Sequence, residues 1–241
     1  MSEYLLGDCL ELLPSVPSGS VDMILCDLPY GTTQNSWDSV IDLTALWAEY
    51  LRVAKPNAAI VLTAQTPFDK VLGMSMLPLL RYEWIWEKTT ATGHLNAKRM
   101  PMKAHENVLV FYRSLPTYNA QKTFGHERKV SSIAHRKDST ASANYGEQTK
   151  DHVGYDSTER YPRSVITFPT DRQKSKIHPT QKPVALFEYL IRTYTNEGDL
   201  VLDNAVGSGT TAIAARNTGR EFIVMERDEG YYAQGSLRLA A

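Results

Sequence analysis

Apolar runs that stop at an acid recur four times along the chain: Tyr4 to Asp8, Val21 to Asp27, Leu200 to Asp203 and Phe222 to Glu226. A run that stays apolar at successive positions suits a strand covered on both faces, the condition of a parallel sheet. Further strands are predicted at Ala58 to Thr63, Tyr82 to Trp86 and Asn107 to Tyr112. Helical spacing appears at Leu43, Leu46, Trp47, Tyr50 and Leu51. It recurs at Leu186, Tyr189, Leu190 and Thr193, behind Pro183, a residue favoured at a helix start. Strands alternating with helices imply an α/β fold with a mostly parallel sheet. From about Ser114 to Lys176 the pattern dissolves into Ser, Thr, Lys, Arg and Tyr. The chain is therefore predicted to hold one domain in two parts, 1–113 and 177–241, interrupted by a loop-rich insert at 114–176.

Charge adds a second distinction between the ends and the middle. The 241 residues carry a net charge of -1, yet between Lys98 and Lys176 there are 15 Lys and Arg against 8 Asp and Glu. Tyr112, Tyr118, Phe124, Tyr145, Tyr155 and Tyr161 are interleaved with those cations. Cations with rings among them suit a polyanion that has stackable bases. Candidate contacts are Arg99, Lys103, Arg128, Lys129, Arg136, Lys137, Arg160 and Arg163. His105, His126, His135 and His152 lack metal-ligand spacing, so no metal is expected. The longest stretch without a charged residue runs only from Pro56 to Phe68, and the first residues lack a basic segment followed by an apolar core. Membrane spans and a secretory signal are not expected. The two cysteines, Cys9 and Cys26, cannot build a disulfide scaffold, and a cytoplasmic setting fits best.

In an open parallel sheet, ligands collect beyond the carboxyl ends of the strands, beside the point where strand order reverses. Asp203 is followed by Asn204-Ala205-Val206-Gly207-Ser208-Gly209-Thr210-Thr211 and then by the helix former Ala212-Ile213-Ala214-Ala215. The glycines let a ligand approach the backbone, and the helix start offers free N–H groups. Without a Lys after the second glycine this is not a phosphate loop. It matches the dinucleotide fingerprint loosely, with Glu226 placed 19 residues after Gly207 as a ribose-binding acid. An NAD-linked oxidoreductase is therefore a competing reading, because adenosine is common to NAD and S-adenosylmethionine. Asp27-Leu28-Pro29-Tyr30-Gly31 points elsewhere. The carboxylate and the Pro29 carbonyl can each accept a hydrogen bond from an amino group on a flat ring, and Tyr30 can stack on that ring. Hydride transfer has no use for such a set.

The Asp27-Leu28-Pro29-Tyr30 segment resembles the Asp-Pro-Pro-Tyr motif of S-adenosylmethionine-dependent DNA amino-methyltransferases. His178-Pro179-Thr180-Gln181-Lys182-Pro183 is similar to their cofactor-binding segment, and Gly207-Ser208-Gly209-Thr210-Thr211 to their first motif. The order of motifs resembles the beta class. Leu28 and Asn204 stand where that pattern has Pro, and Ala205 where it has Phe. The resemblance implies a circularly permuted, doubly wound Rossmann-like methyltransferase sheet. In it the strand ending at Asp203 is first, that ending at Glu226 second, and those ending at Asp8 and Asp27 third and fourth, in the order 3-2-1-4-5. It makes 1–113 the catalytic half, 114–176 a target-recognition region and 177–241 the cofactor half.

The resemblance also implies roles. Asp27, Pro29 and Tyr30 form the catalytic set, gripping an extruded base. Asp8, Cys9, Asp27, His178, Lys182, Asp203, Gly207, Gly209, Thr210 and Glu226 form the cofactor set. Glu226 takes the ribose hydroxyls, Asp8 the adenine amino group with the Cys9 backbone nearby, and Lys182 the methionine carboxylate. Double-stranded DNA is the implied substrate, with a homodimer and a cognate restriction nuclease as partners such enzymes admit. An Asp at position 27 favours adenine N6 over cytosine N4. Beside the NAD reading, an inactive DNA-binding protein is the alternative of another class.

Overall fold

The computed structural model describes residues 2–31, 40–131, 141–142, 146–147, 154–170 and 181–240. Two compact units emerge, one formed by Met1–Asn119 with Ser164–Ala241 and the other by Ala120–Arg163. The larger begins with β1 (Glu3–Leu6), α1 (Cys9–Leu12), β2 (Val21–Cys26), α2 (Leu43–Val53), β3 (Ala54–Ala64), α3 (Phe68–Ser75), β4 (Leu80–Thr92) and β5 (Lys103–Phe111). The smaller holds β6 (Lys129–Ser131), β7 (Ala141–Ser142), β8 (Gly146–Glu147) and β9 (Tyr155–Ser157). The larger then resumes with β10 (Val165–Phe168), α4 (Val184–Tyr194), β11 (Leu200–Asp203), α5 (Thr210–Asn217), β12 (Glu221–Glu226) and α6 (Glu229–Ala240).

Eight strands form one sheet in the order β1-β12-β11-β2-β3-β5-β4-β10. All neighbours run parallel except where β5 lies antiparallel between β3 and β4. Strand order reverses between β11 and β2, and the expected 3-2-1-4-5 arrangement is the one seen. The unbroken apolar runs have the cause inferred for them. Along β2, Ile24 and Cys26 face a core shared with Leu46, Trp47 and Tyr50 of α2, while Met23 and Leu25 face Leu186, Phe187 and Leu190 of α4. Both faces of the strand are therefore dry from Met23 to Cys26, and every position there is apolar; Asp22, nearer its start, is partly exposed and pairs with Lys55.

The insert drawn from composition at 114–176 is wider than the smaller unit, for two physical reasons. Asn119 is tied to the end of α4, its backbone N–H donating to Thr193 O at 2.7 Å and its amide to Thr195 O at 2.9 Å. Beyond Arg163 the chain returns to the sheet, where the Ile85 N–H donates to Ser164 O at 2.7 Å and β10 pairs with β4. In the smaller unit Arg128 pairs with Asp156 at 2.6 Å and Lys122 with Glu159 at 2.8 Å. Arg160 donates to the carbonyls of Glu127, Ser157 and Glu159, so this candidate cation holds its own unit together. Lys129 and Arg163 are exposed, whereas Arg136, Lys137 and Tyr145 lie outside the described residues. No helix among the described residues is long and apolar enough to cross a membrane.

Candidate active site

The carboxyl end of β2 delivers Asp27 to the switch point. Leu28, where the resembling motif has Pro, is 2% exposed and fills the core beneath the turn. Gly31 then takes a φ of 64°, a left-handed conformation that costs glycine nothing. Asp27 is held by three donors. The Tyr30 hydroxyl donates to its Oδ1 at 2.6 Å, the Thr63 hydroxyl from the end of β3 donates to the same oxygen, and Lys182 Nζ donates to Oδ2 at 2.7 Å. A carboxylate has about four acceptor sites, so one remains for an incoming N–H. The Tyr30 ring is stacked on Phe68 at 5.3 Å, with Lys182 Nζ 5.4 Å from its centroid.

Lys182 is the centre of a buried charge chain. Its ammonium also lies 3.2 Å from Glu106 on β5, whose other oxygen takes Lys88 of β4 at 2.6 Å, and the side chains of Lys182, Glu106 and Lys88 are all buried. Burial alone pushes the Lys182 ammonium down, but the charges of Asp27 and Glu106 outweigh it and hold the group well above the usual lysine value. Glu106 shows the converse balance. Burial pushes its carboxyl up, and Lys182 and Lys88 together bring it below the ordinary glutamate value. Burial, followed by the charge of Asp27, raises the Tyr30 hydroxyl, so it stays protonated as a donor. Thr63, Phe68, Glu106 and Lys88 were not foreseen. Glu106 left a weak sign, an acid directly before the apolar run from Asn107.

On the other side of the switch point, β11 ends at Asp203. It accepts from the Thr211 hydroxyl and from the Ala205 N–H at 3.0 Å. Gly207 and Gly209 take positive φ of 55° and 80°, curling the loop into the start of α5. A Cβ at Gly209 would meet the Gly235 carbonyl of α6 at 3.3 Å, so the loop needs glycine there for packing as well as for conformation. Glu226, at the end of β12, accepts the Gly207 N–H at 2.8 Å and the Asp228 N–H at 2.9 Å, one on each oxygen. Asn204 accepts the Tyr50 hydroxyl, and Ala205 packs against the core. Lys182 joins the two halves: its ammonium meets Asp27 while its carbonyl accepts from the Thr210 hydroxyl at 3.4 Å.

A family model described as DNA methylase, of the N6 and N4 type, matches residues 21–236. The chain belongs to this family. It is a DNA amino-methyltransferase, and its methyl donor is S-adenosylmethionine. The chain is 28% identical to the type II methyltransferase M1.MboII of Moraxella bovis, over 96% of this chain and 94% of that protein. It is 29% identical to the DNA adenine methyltransferase YhdJ of Escherichia coli K12, over 97% of this chain and 81% of that one. Among solved structures, the M1.HpyAVI complex with S-adenosylmethionine matches with a TM-score of 0.70 at 23% identity, covering all of both chains. The cytosine-N4-specific PvuII DNA methyltransferase matches at 0.69 and 17%, over 98% of this chain and 86% of that one. The NAD-linked oxidoreductase reading is thereby set aside.

The methyltransferase's residues fit its cofactor by the chemistry of their donors and acceptors. Glu226 accepts the Gly207 and Asp228 N–H groups on different oxygens, and a carboxylate's capacity of about four acceptor sites leaves room for a hydroxyl donor such as a ribose carries. Burial raises its carboxyl above the usual glutamate range. Asp8 is exposed and caps α1, accepting the Leu10 N–H at 2.8 Å, so the side chain is partly engaged within its own turn. Cys9 is buried beside it. Lys182, expected at the cofactor's carboxylate, lies instead on Asp27 and Glu106. His178, His135 and His152 lie outside the described residues. Among the described residues no cluster of three His, Cys, Asp or Glu side chains could hold a metal ion.

Burial raises the Asp203 carboxyl to about 6, with Thr211 and the Ala205 N–H opposing that shift. An acid whose folded value is raised stabilises the fold fully below its unfolded value of 3.8 and loses that contribution as pH climbs to 6. The loss amounts to about 3 kcal/mol. Denaturant unfolding of the enzyme and of Asp203→Asn at a series of pH values checks this. The stability of the variant relative to the wild type is expected to improve by about that amount between pH 4 and 6.5, and a constant difference refutes it.

Proposed function

We propose that this enzyme transfers a methyl group to the N6 amine of a flipped-out adenine at a specific site in double-stranded DNA. One observation carries the reading: Asp27, held by Tyr30, Thr63 and Lys182, stands at the end of β2 directly beside the β11 end that bears the glycine loop. Asp at position 27 and the name of the adenine-methylating relative favour adenine over cytosine. Bound S-adenosylmethionine supplies a methyl group on a positively charged sulfonium. The fourth acceptor site of Asp27 takes one amine proton and the Pro29 carbonyl takes the other. These bonds localise the nitrogen lone pair and aim it in line with the departing sulfur. The nitrogen forms the new bond to carbon, the bond from carbon to sulfur breaks, and the surplus amine proton passes to solvent. Tyr30 replaces stacking lost when the base leaves the duplex.

Glu226 binds the ribose hydroxyls, Asp8 and the Cys9 backbone the cofactor's adenine, and Asp203, Gly207, Gly209, Thr210 and His178 complete its site. We assign Lys182 to holding Asp27 in place. The insert reads sequence through exposed cations such as Lys129 and Arg163. Free, buried Cys9 and Cys26 suit a cytoplasmic setting, and the reading extends to a homodimer and a cognate nuclease. Sequencing DNA from cells that express the enzyme, with a read-out of modified bases, tests the central statement. N6-methyladenine within one short sequence is expected. N4-methylcytosine in its place, or unmodified DNA, overturns it.

A further inference from the structure

Glu106 of the buried charge chain pairs across the sheet with Trp86; β5 has left β3 at this level, β4 keeps β10 as a neighbour as far as Lys88, and beyond Lys88 the two strands continue as a hairpin. From Glu106 to Lys103 the hairpin rises roughly 10 Å at about 3.3 Å per residue, and ten further residues close its tip. Because β4 runs parallel to β2, β3 and β11 in the sheet, its carboxyl end points to the same edge as Asp27 and Asp203. Every residue from Thr92 to His105 is exposed. The segment carries Lys98, Arg99, Lys103, His94 and His105 and no acid.

Its apex is an ordered turn. Gly93, at a φ of 88°, opens it, and the Asn96, Ala97 and Arg99 N–H groups donate to the carbonyls of Gly93, His94 and Asn96 at 3.0, 3.1 and 2.8 Å. Lys103 Nζ, donating to Gln65 Oε1 at 3.1 Å, ties the base of the hairpin to the chain just after β3. On this mount Leu95 is 89% exposed, more than any other large apolar side chain among the described residues, with Met100 behind it at 53%. A leucine offered to water from a hydrogen-bonded turn, with Lys98 and Arg99 three and four residues on, is poorly matched to a protein core and well matched to a nucleic acid. The cations meet phosphates and the apolar tip enters the base stack.

We infer that the hairpin between β4 and β5 is a second DNA-binding element, in which Leu95 fills the gap left in the duplex by the extruded base while Lys98 and Arg99 hold the flanking phosphates. This rests on the base-flipping reading above. Extruding a paired base costs stacking and pairing, and a wedge that occupies the vacated space offsets part of that cost. Leu95 is thus a positioning residue, acting on the population of extruded base and not on the methyl transfer itself.

The test uses the full-length enzyme and duplexes carrying the methylated sequence. Leu95→Ala is expected to lower kcat/KM about tenfold on the fully paired duplex and to reduce the fluorescence of 2-aminopurine placed at the target by a similar factor. Both are expected to return to wild-type levels when the target faces an abasic site, where little pairing is left to break. Lys98→Gln with Arg99→Gln is expected to weaken binding on all duplexes alike and to flatten the slope of log K against log salt by about 2. An unchanged Leu95→Ala enzyme on paired DNA overturns the inference. So does an equal loss on both duplexes, or a shift in oligomeric state with base extrusion unaltered, the mark of a protein occupant. Failure of the wild-type enzyme to methylate any of the duplexes instead refutes the reading on which it rests.

Discussion

Asp27→Ala is expected to lower kcat about 10³-fold while the Kd for S-adenosylmethionine stays within about threefold of the wild-type value. The carboxylate is the only charged acceptor proposed to touch the target amine, and the alanine leaves that amine with its lone pair delocalised into the ring. The variant should fold, because Lys182 keeps Glu106 as a partner at 3.2 Å and Tyr30 keeps its stacking on Phe68. Asp27→Asn retains an acceptor oxygen but sets an amide N–H2 against one or more of the three donors that now point at the carboxylate, so its activity should fall between alanine and wild type. Single-turnover methyl transfer, together with fluorimetric cofactor titration, separates the two quantities. Normal turnover in the alanine variant would falsify the proposed mechanism, whereas a large loss of cofactor affinity would move Asp27 from the chemistry to the cofactor site.

Lys182→Met is expected to cost the fold about 3–5 kcal/mol, because it leaves buried carboxylates without the cation between them. Lys88 still neutralises Glu106 at 2.6 Å, so the orphaned charge falls mainly on Asp27. The pH dependence follows in two parts. In the wild type, Glu106 is held below its ordinary value, so its contribution is full above the unfolded carboxylate range and is lost as pH falls through the lowered folded value. In the variant Glu106 keeps Lys88 alone, so part of that contribution is missing above the carboxylate range and less is missing below it. The deficit against wild type should therefore be smaller near pH 3 than near pH 7. Urea unfolding at both values measures it, and a deficit independent of pH would assign the loss to packing of the lysine stem. Lys182 itself adds a term at the alkaline end. Its raised value makes its contribution full below the unfolded lysine value of 10.5 and lost only as pH climbs through the higher folded one.

The parts of the fold that could be read from residue order are those where burial leaves a local mark. β2, β11 and β12 announce themselves because both of their faces are covered, and each ends at an acid because the chain there emerges at the ligand edge. The outer reaches of β4 and β5 carry Glu, Lys and Thr on exposed positions, so only the inner part of each strand was foreseen. β10 is four residues long and flanked by polar sequence, which made it look like insert, and α3 shows only Phe68 and Leu72 as buried large side chains. The site divides in the same way. Motif spacing located Asp27, Tyr30, Gly207 and Glu226, since each sits at a strand end or turn where residue type is dictated locally. The chain from Asp27 through Lys182 and Glu106 to Lys88 joins four segments far apart in sequence, and no spacing rule encodes it. The same limit explains Lys182: its neighbours in sequence suggested the cofactor, and its neighbours in space are two carboxylates.

The order of strands also sets a timetable for synthesis. β1 leaves the ribosome before the other strands of the sheet, yet it lies at the sheet's edge and pairs there with β12, the last of the described strands to be made. β2, β3, β5 and β4 can pair as soon as they emerge, but β1 must wait for the final quarter of the chain to be translated before it has a partner. At about 5–20 residues per second that wait lasts roughly ten seconds or more, with an apolar segment unsheltered at the nascent end. A message that stops short of β12 thus yields a polypeptide lacking the strand that joins β1 to the rest of the sheet, and with it the Glu226 that braces the glycine loop, a natural client for chaperones and proteases.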